Sequence, residues 1–117
     1  LYVGRDDRIH LVLPVTEMGQ GVATAFAVLV AAELGLGGAA DVLVEPAPHG
    51  AAYVSPAWGF QATAGSSSTR VWYPRLRQAA RLLRAELEAA ARSAFGTPGA
   101  TVVLERDRVV VAGRDPL

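Results

Sequence analysis

Two glycines bracket a glutamine in residues 16–26, TEMGQGVATAF. Gly19 and Gly21 admit backbone angles and close approaches that other residues resist, so a ligand or another backbone segment is expected near this turn. If a helix starts here, its first N–H groups suit an anionic or oxygen-bearing ligand. Gln20 adds an uncharged donor and acceptor, which could position or polarise a ligand but not serve as an acid or base. The local pattern alone favours a plainer interpretation, a tight turn with Gln20 as a cap.

A second glycine turn lies in residues 62–70, ATAGSSSTR, where Gly65 precedes Ser66, Ser67 and Ser68. A glycine followed by several hydroxyls at the start of a helix can satisfy phosphate oxygens from both backbone and side chains. The stretch lacks a Walker lysine, so it is not a P-loop of the usual kind. Taken alone, it fits a helix N-cap with solvated serines better than a ligand site.

Three titratable side chains have weaker support as functional groups. Glu17 adjoins the first turn, but an isolated carboxylate is more often a hydrogen-bonded structural group than a catalyst. His10 and His49 lack the spacing of a metal-binding pair, and they fall in a predicted strand and a Pro/Gly-rich loop. None of the three is predicted to be catalytic or to bind a metal.

The elements around the first turn form a strand, helix, strand unit. Residues 9–15, IHLVLPV, predict a strand that ends near Pro14. A helix is predicted from about Gln20 to Leu34; it is apolar nearly all round, which indicates burial on several sides and hence a larger partner. Gly35 is expected to end the helix, and residues 41–45 predict the second strand.

Residues 46–65 are rich in proline, glycine and alanine, with Tyr53, Trp58 and Phe60 interspersed. Aromatic residues in a long loop usually anchor it or line a site, so this loop is expected to be ordered.

An amphipathic helix follows the serine turn. Apolar residues recur along it at three- and four-residue spacing: Leu76, Ala79, Ala80, Leu83, Leu87, Ala90, Ala91 and Ala94. Pro74 lies either in the first turn of this helix or inside a longer helix that begins near Ser66. Residues 101–105 and 108–112 flank Arg106-Asp107 and predict a β-hairpin. The expected class is α+β, with two helices packed on a small mixed sheet and a C-terminal β-hairpin.

Composition narrows the possible functions. The 117 residues suit one domain, and 51% hydrophobic content supports a core. Eleven basic and eleven acidic residues cancel, which disfavours a nucleic-acid partner. The chain has no cysteine, so disulfides and thiolate metal sites within it are excluded. Its longest apolar run is shorter than the ~20 residues of a membrane span.

The two turns and their surroundings resemble a known family. The order of EMGQG at 17–21, AAEL at 31–34, QATAGSSSTR at 61–70 and WYPRLRQA at 72–79 is similar to the molybdopterin-binding subunit of the xanthine dehydrogenase and aldehyde oxidase family. The most similar branch is the isoquinoline 1-oxidoreductase beta subunit. The resemblance covers nearly the whole chain, and the two motifs together are far more specific than either alone.

The resemblance implies cofactor contacts at both turns. In the family, the glutamine of the first motif lies beside the molybdenum and hydrogen-bonds one of its oxygen ligands, which implies that role for Gln20, with Gly19 and Gly21 allowing close approach. The serine turn in the family contacts the pterin and its phosphate, which implies Gly65, Ser66, Ser67 and Ser68. The cofactor would be molybdenum-molybdopterin, with the cytosine dinucleotide form left open.

The implied reaction is hydroxylation of an aldehyde or an electron-poor N-heterocyclic aromatic, with oxygen from water. Electrons would pass to iron–sulfur clusters on a separate domain or subunit. The family's catalytic glutamate belongs to a later segment that these 117 residues do not match. The chain is therefore expected to be a single cofactor-facing domain, a fragment or module of a larger subunit, and to be catalytically incomplete alone. Two alternatives stay open: a noncatalytic remnant serving as a scaffold, and a free-standing phosphate or nucleotide binder.

Overall fold

The computed structural model describes residues 1–105 and 108–111, and its main sheet has three strands. They are β1 (Tyr2–Val3), β2 (Ile9–Leu13) and β3 (Val42–Pro46), in the order β1-β2-β3. Strand β1 is antiparallel to β2, and β3 is parallel to it, with Ile9 opposite Val42 and Leu13 opposite Pro46. The predicted mixed sheet is confirmed. The two-residue strand β1 was not predicted, because it is too short to show a period-two pattern.

Strand β2 has one buried face. Ile9, Leu11 and Leu13 are buried, while His10 and Val12 between them are half-buried. Since successive side chains of a strand point to opposite faces, the odd-numbered residues face the core. They join a single cluster with a residue that follows β2 and with residues of both helices and of β3: Val15, Val22, Phe26, Ala27, Val30, Ala31, Leu34, Val42, Trp72, Leu76 and Ala80.

Helix α1 (Val22–Leu34) connects β2 to β3, as the sequence predicts. It begins after Gly21 and ends at Gly35, whose φ angles of 77° and 76° are left-handed and suit glycine. Although α1 is apolar nearly all round, the described residues cover only part of its surface. Its uncovered face consists of Thr24, Ala25, Val28 and Ala32, which are exposed.

Helix α2 (Ser68–Ala94) contains Pro74 in its interior, so of the two predicted alternatives the longer helix is confirmed. Its 27 residues span about 40 Å, against about 20 Å for the 13 residues of α1. The first half of the predicted apolar stripe is therefore packed, with Leu76 and Ala80 buried, whereas Ala90 and Ala94 are exposed.

The two helices are joined by an ionic contact as well as by the core. The carboxylate of Glu33 on α1 accepts hydrogen bonds from the guanidinium groups of Arg77 and Arg81 on α2. Arg84 also donates to the backbone carbonyl of Glu33. Helix α2 is thereby fixed along the last turn of α1.

The predicted C-terminal hairpin is confirmed as the antiparallel pair β4 (Val102–Glu105) and β5 (Arg108–Val111). Its Arg106-Asp107 turn lies outside the described residues. The molecule is α+β, as expected. Within residues 1–105 and 108–111, neither helix has the length and apolarity needed to cross a membrane.

Candidate functional site

Residues of both glycine turns line one cleft of about 330 Å³. Met18 and Gln20 come from the first turn, and Ser66 and Ser68 come from the second; the complete lining is Met18, Gln20, Thr63, Ala64, Gly65, Ser66 and Ser68. The structure therefore brings together two motifs that are far apart in the sequence. Gly19, Gly21 and Ser67 are not in the lining and instead build the turns behind it.

A short hydrogen bond ties the two turns together. The backbone N–H of Thr16 donates to the hydroxyl of Thr63 over 2.7 Å. Thr16 immediately precedes the EMGQG motif, and Thr63 precedes Gly65 by two positions. This contact fixes the separation of the cleft walls.

The glycines of the first turn are required by backbone geometry. Gly19 has φ 91° and Gly21 has φ 77°, which are left-handed values that side chains disfavour. No atom of the described residues lies within 4 Å of the position that a Cβ would take at either glycine. The expected close approach of another backbone segment is therefore absent from the described part of the chain, and this side of the turn is open.

The carboxylate of Glu17 accepts hydrogen bonds from the first glycine turn and from the first turn of α1. Its Oε1 accepts hydrogen bonds from the backbone N–H of Gly19 at 2.8 Å and of Gly21 at 3.0 Å, and its Oε2 accepts one from Ala23 at 2.9 Å. These bonds, that from Ala23 first, lower the pKa of Glu17 below its usual value of 4.5. The sequence predicted free N–H groups here for an external anion; the structure fills three of them with the chain's own carboxylate. Glu17 is a hydrogen-bonded structural group, as expected.

The side chain of Gln20 folds back onto its own turn. Its Nε2 donates to the carbonyl of Thr16 over 2.9 Å, and its Oε1 accepts from the N–H of Met18. A primary amide has two N–H donors and two acceptor lone pairs, so each end retains one for a ligand. Gln20 does not cap α1: its amide bonds Met18 and Thr16, and the side chain that accepts an N–H of the first helical turn is that of Glu17.

The serine turn has two consecutive residues at positive φ. Gly65 has φ 58° and Ser66 has φ 52°, and the N–H of Ser67 closes the turn on the carbonyl of Ala64 at 3.1 Å. Trp58 packs beneath it, because a Cβ on Gly65 would lie 2.9 Å from Cζ2 of that ring. Glycine is therefore needed at position 65 for its backbone angle and for the close ring.

The three serines have different surroundings. Ser67 is only 2% exposed, and its hydroxyl donates to the carbonyl of Ala64 and accepts from Nε1 of Trp58. The hydroxyls of Ser66 and Ser68 line the cleft and make no hydrogen bond with the described residues. Ser66 and Ser68 are thus placed to meet a ligand, whereas the hydroxyl of Ser67 holds the turn.

The histidines lie away from this cleft. His10 bonds the carboxylate of Asp6 at 2.9 Å and stacks on the ring of Tyr2. His49 is exposed in the loop after β3. Among the described residues, no three His, Asp or Glu side chains come close enough to hold a metal ion.

Sequence patterns did not identify Met18, Thr63 and Trp58 as parts of the site. Met18 is 66% exposed at the cleft, Thr63 joins its walls and Trp58 supports the serine turn. Trp58 could have been identified from the expectation that the aromatic residues of the loop anchor it or line a site. Thr63 had no such signal, because its partner Thr16 lies across the fold.

The cleft suits an oxygen-rich ligand. Its polar side chains are the amide of Gln20 and the hydroxyls of Thr63, Ser66 and Ser68, and no charged side chain of the described residues lines it. Its volume is at the lower end of the range of about 300–1,000 Å³ found for small-molecule sites. Neutral donors, rather than ionic contacts, would hold the ligand.

Comparison with known proteins identifies the family of the chain. A family model described as a molybdopterin cofactor-binding domain matches residues 1–116. No curated protein and no solved structure matches the chain significantly. The match spans both glycine turns and nearly all of the chain, which therefore belongs to the molybdopterin cofactor-binding domain family.

Proposed function

We propose that this chain is a molybdopterin-binding module of a molybdenum hydroxylase, in the branch of the isoquinoline 1-oxidoreductase beta subunit. The observation that carries the proposal is the single cleft formed by the EMGQG and serine turns. The resemblance of the motifs, in their order along the chain, supports the hydroxylase class. Aldehydes or N-heterocyclic aromatics are the proposed substrates, with water as the source of oxygen.

The cofactor contacts are assigned to the side chains that have hydrogen-bonding capacity left in the cleft. Gln20 would position an oxygen of the cofactor with its remaining amide N–H, and Ser66 and Ser68 would bind oxygens of the pterin or its phosphate. Gly19, Gly21 and Gly65 set the backbone of the two turns, and Ser67 braces the second turn. When bound, the molybdenum-molybdopterin, in its plain or cytosine dinucleotide form, supplies the redox chemistry. No residue of this chain is assigned as the catalytic base; Glu17 is occupied by backbone N–H groups.

The module is proposed to work within a larger assembly. The exposed apolar residues Val28 on α1 and Leu82 on α2 support packing against further segments of a molybdopterin subunit. An iron–sulfur domain or subunit is the proposed electron acceptor. The single domain would thus be one cofactor-facing piece of the active centre.

The test uses the assembly purified from the native host. Molybdenum is measured by elemental analysis and the pterin by fluorescence after oxidation, and product is analysed after reaction in ¹⁸O-labelled water with isoquinoline or an aldehyde. The proposal predicts metal, pterin and ¹⁸O in the product. Metal and pterin without any ¹⁸O incorporation would refute the hydroxylase class while leaving cofactor binding intact. A pure chain without metal, pterin or partners would favour the alternative of a noncatalytic scaffold.

A further inference from the structure

Glu17 is built into the first turn although it does not line the cofactor cleft. Its carboxylate lines a neighbouring cleft of about 400 Å³, together with Glu45 and Gln61. Both of its oxygens nevertheless accept N–H bonds from the turn and from the first turn of α1. The backbone of the turn therefore connects Glu17 to the cofactor cleft, which Glu17 does not line.

Two of the three N–H donors to Glu17 belong to the residues on either side of Gln20. Gly19 and Gly21 are its immediate neighbours, and both donate to the same oxygen of Glu17. The Gln20 amide is then held by the carbonyl of Thr16 and the N–H of Met18. Because one carboxylate oxygen accepts the N–H groups of both neighbouring residues, Gln20 has little freedom to turn away from the cleft.

Removing the Glu17 carboxylate would free the N–H groups of Gly19 and Gly21 from their shared acceptor. Glycines can adopt many backbone angles, so the bonds to Glu17 help to hold Gly19 and Gly21 at their present values; the carbonyl of Gly21 also accepts the N–H of Ala25. Charge-assisted hydrogen bonds of backbone N–H groups to a carboxylate are stronger than neutral ones. The N–H groups of Gly21 and Ala23 at the start of α1 would also lose their acceptor.

We infer that Glu17 is a positioning residue that holds Gln20 toward the cofactor cleft. The inference rests on the proposed function for its role toward the cofactor. The geometry within the turn does not depend on the cofactor and is tested first.

The first test is NMR on the full 117-residue chain without cofactor. In wild type, the amide protons of Gly19, Gly21 and Ala23 should titrate together, with one apparent pKa below the usual 4.5 of a glutamate. In Glu17→Gln, which has only one acceptor oxygen, at least one of these amides should exchange about tenfold faster, as expected for loss of a hydrogen bond to a charged group. The side-chain amide signals of Gln20 should shift as well.

Glu45→Gln is the matched control, because Glu45 lines the same neighbouring cleft but accepts its hydrogen bond from the hydroxyl of Tyr2. It should leave the three amides and the Gln20 signals unchanged. Amides that neither titrate in wild type nor change in Glu17→Gln would overturn the inference, whatever the cofactor content of the native assembly. The wild-type titration gives this answer even if the variant does not fold.

The second test addresses the role toward the cofactor. In the native assembly, Glu17→Gln should lower the molybdenum and pterin content to the same extent as Gln20→Ala, and Glu45→Gln should not. Full content in Glu17→Gln beside a loss in Gln20→Ala would overturn the positioning role and leave the proposed function standing. A wild-type assembly without cofactor would instead overturn the proposed function. The NMR result would remain valid, because it is obtained on the chain without cofactor.

Discussion

Replacing Gly65 by alanine tests how the serine turn is held. At φ 58° an alanine costs about 1–2 kcal/mol relative to glycine, because its Cβ crowds the following carbonyl. The added Cβ would also lie 2.9 Å from Cζ2 of Trp58, so the ring must move. Overpacking costs about 1–3 kcal/mol, and the lower end applies because the ring of Trp58 is 42% exposed and able to shift. We expect a total loss of about 2–3 kcal/mol in the free energy of unfolding.

Gly21→Ala is the matched control. Its φ of 77° gives a similar backbone cost, but no atom of the described residues lies within 4 Å of the added Cβ. Urea unfolding followed by far-UV circular dichroism should therefore show a loss of about 1–2 kcal/mol for Gly21→Ala, smaller than for Gly65→Ala by about 1 kcal/mol.

The contact with the ring is then isolated by a double-mutant cycle with Trp58→Ala. In the Trp58→Ala background, Gly65→Ala should lower the free energy of unfolding only through its backbone strain. This loss should equal that of Gly21→Ala. Equal losses for the two glycine variants in the wild-type background, or a Gly65→Ala cost that Trp58→Ala does not reduce, would refute the packing argument.

The remaining predictions concern the core, the serines and acid stability. Phe26→Ala should cost about 3–5 kcal/mol in urea unfolding, because Phe26 is 1% exposed at the centre of the core; a loss under about 1 kcal/mol would contradict that placement. Ser67→Ala should cost about 1–3 kcal/mol, because it removes the two hydrogen bonds of a buried hydroxyl, whereas Ser66→Ala should change stability by less than about 0.5 kcal/mol. A larger loss for Ser66→Ala than for Ser67→Ala would contradict these roles of the two serines. The hydrogen bonds from Arg77 and then Arg81 lower the pKa of Glu33 below 4.5, so its stabilising effect is complete above pH 4.5 and is lost as the pH falls through the folded-state pKa. Urea midpoints of Glu33→Gln should consequently fall less on acidification than those of wild type, and parallel curves would argue against the ionic contact.

Local patterns were sufficient for most of the fold. The alternation in β2, the glycines around α1 and the periodic leucines of α2 each depend on neighbours within a few residues, and all three elements are present. The start of α2 was left open because Pro74 is compatible with a first turn or an interior position. The packing around Glu33, Arg77 and Arg81 could not be predicted, because it depends on how two helices lie against each other.

The site was predictable in its motifs but not in its internal contacts. Residue types made Gln20 and Ser66 candidates, but the local patterns alone favoured a plain turn and a helix cap, and the family resemblance led to their assignment as site residues. The structure places both on one cleft. The same residue types could not show that Glu17 fills the start of α1 or that Ser67 turns inward to meet Trp58. These contacts decide which polar groups remain for a ligand, and they depend on backbone angles that sequence patterns do not specify.

The most direct test of the account is the molybdenum and pterin content of the native assembly with both cleft walls altered. The combined variant Gln20→Ala/Ser66→Ala removes one cleft-lining polar side chain from each turn. The combined control Gln78→Ala/Ser93→Ala removes the same two residue types from exposed positions on α2. If the cleft holds the cofactor, the cleft variant loses molybdenum and pterin while the control keeps the wild-type content. Wild-type content in both would contradict the claim that this cleft holds the cofactor.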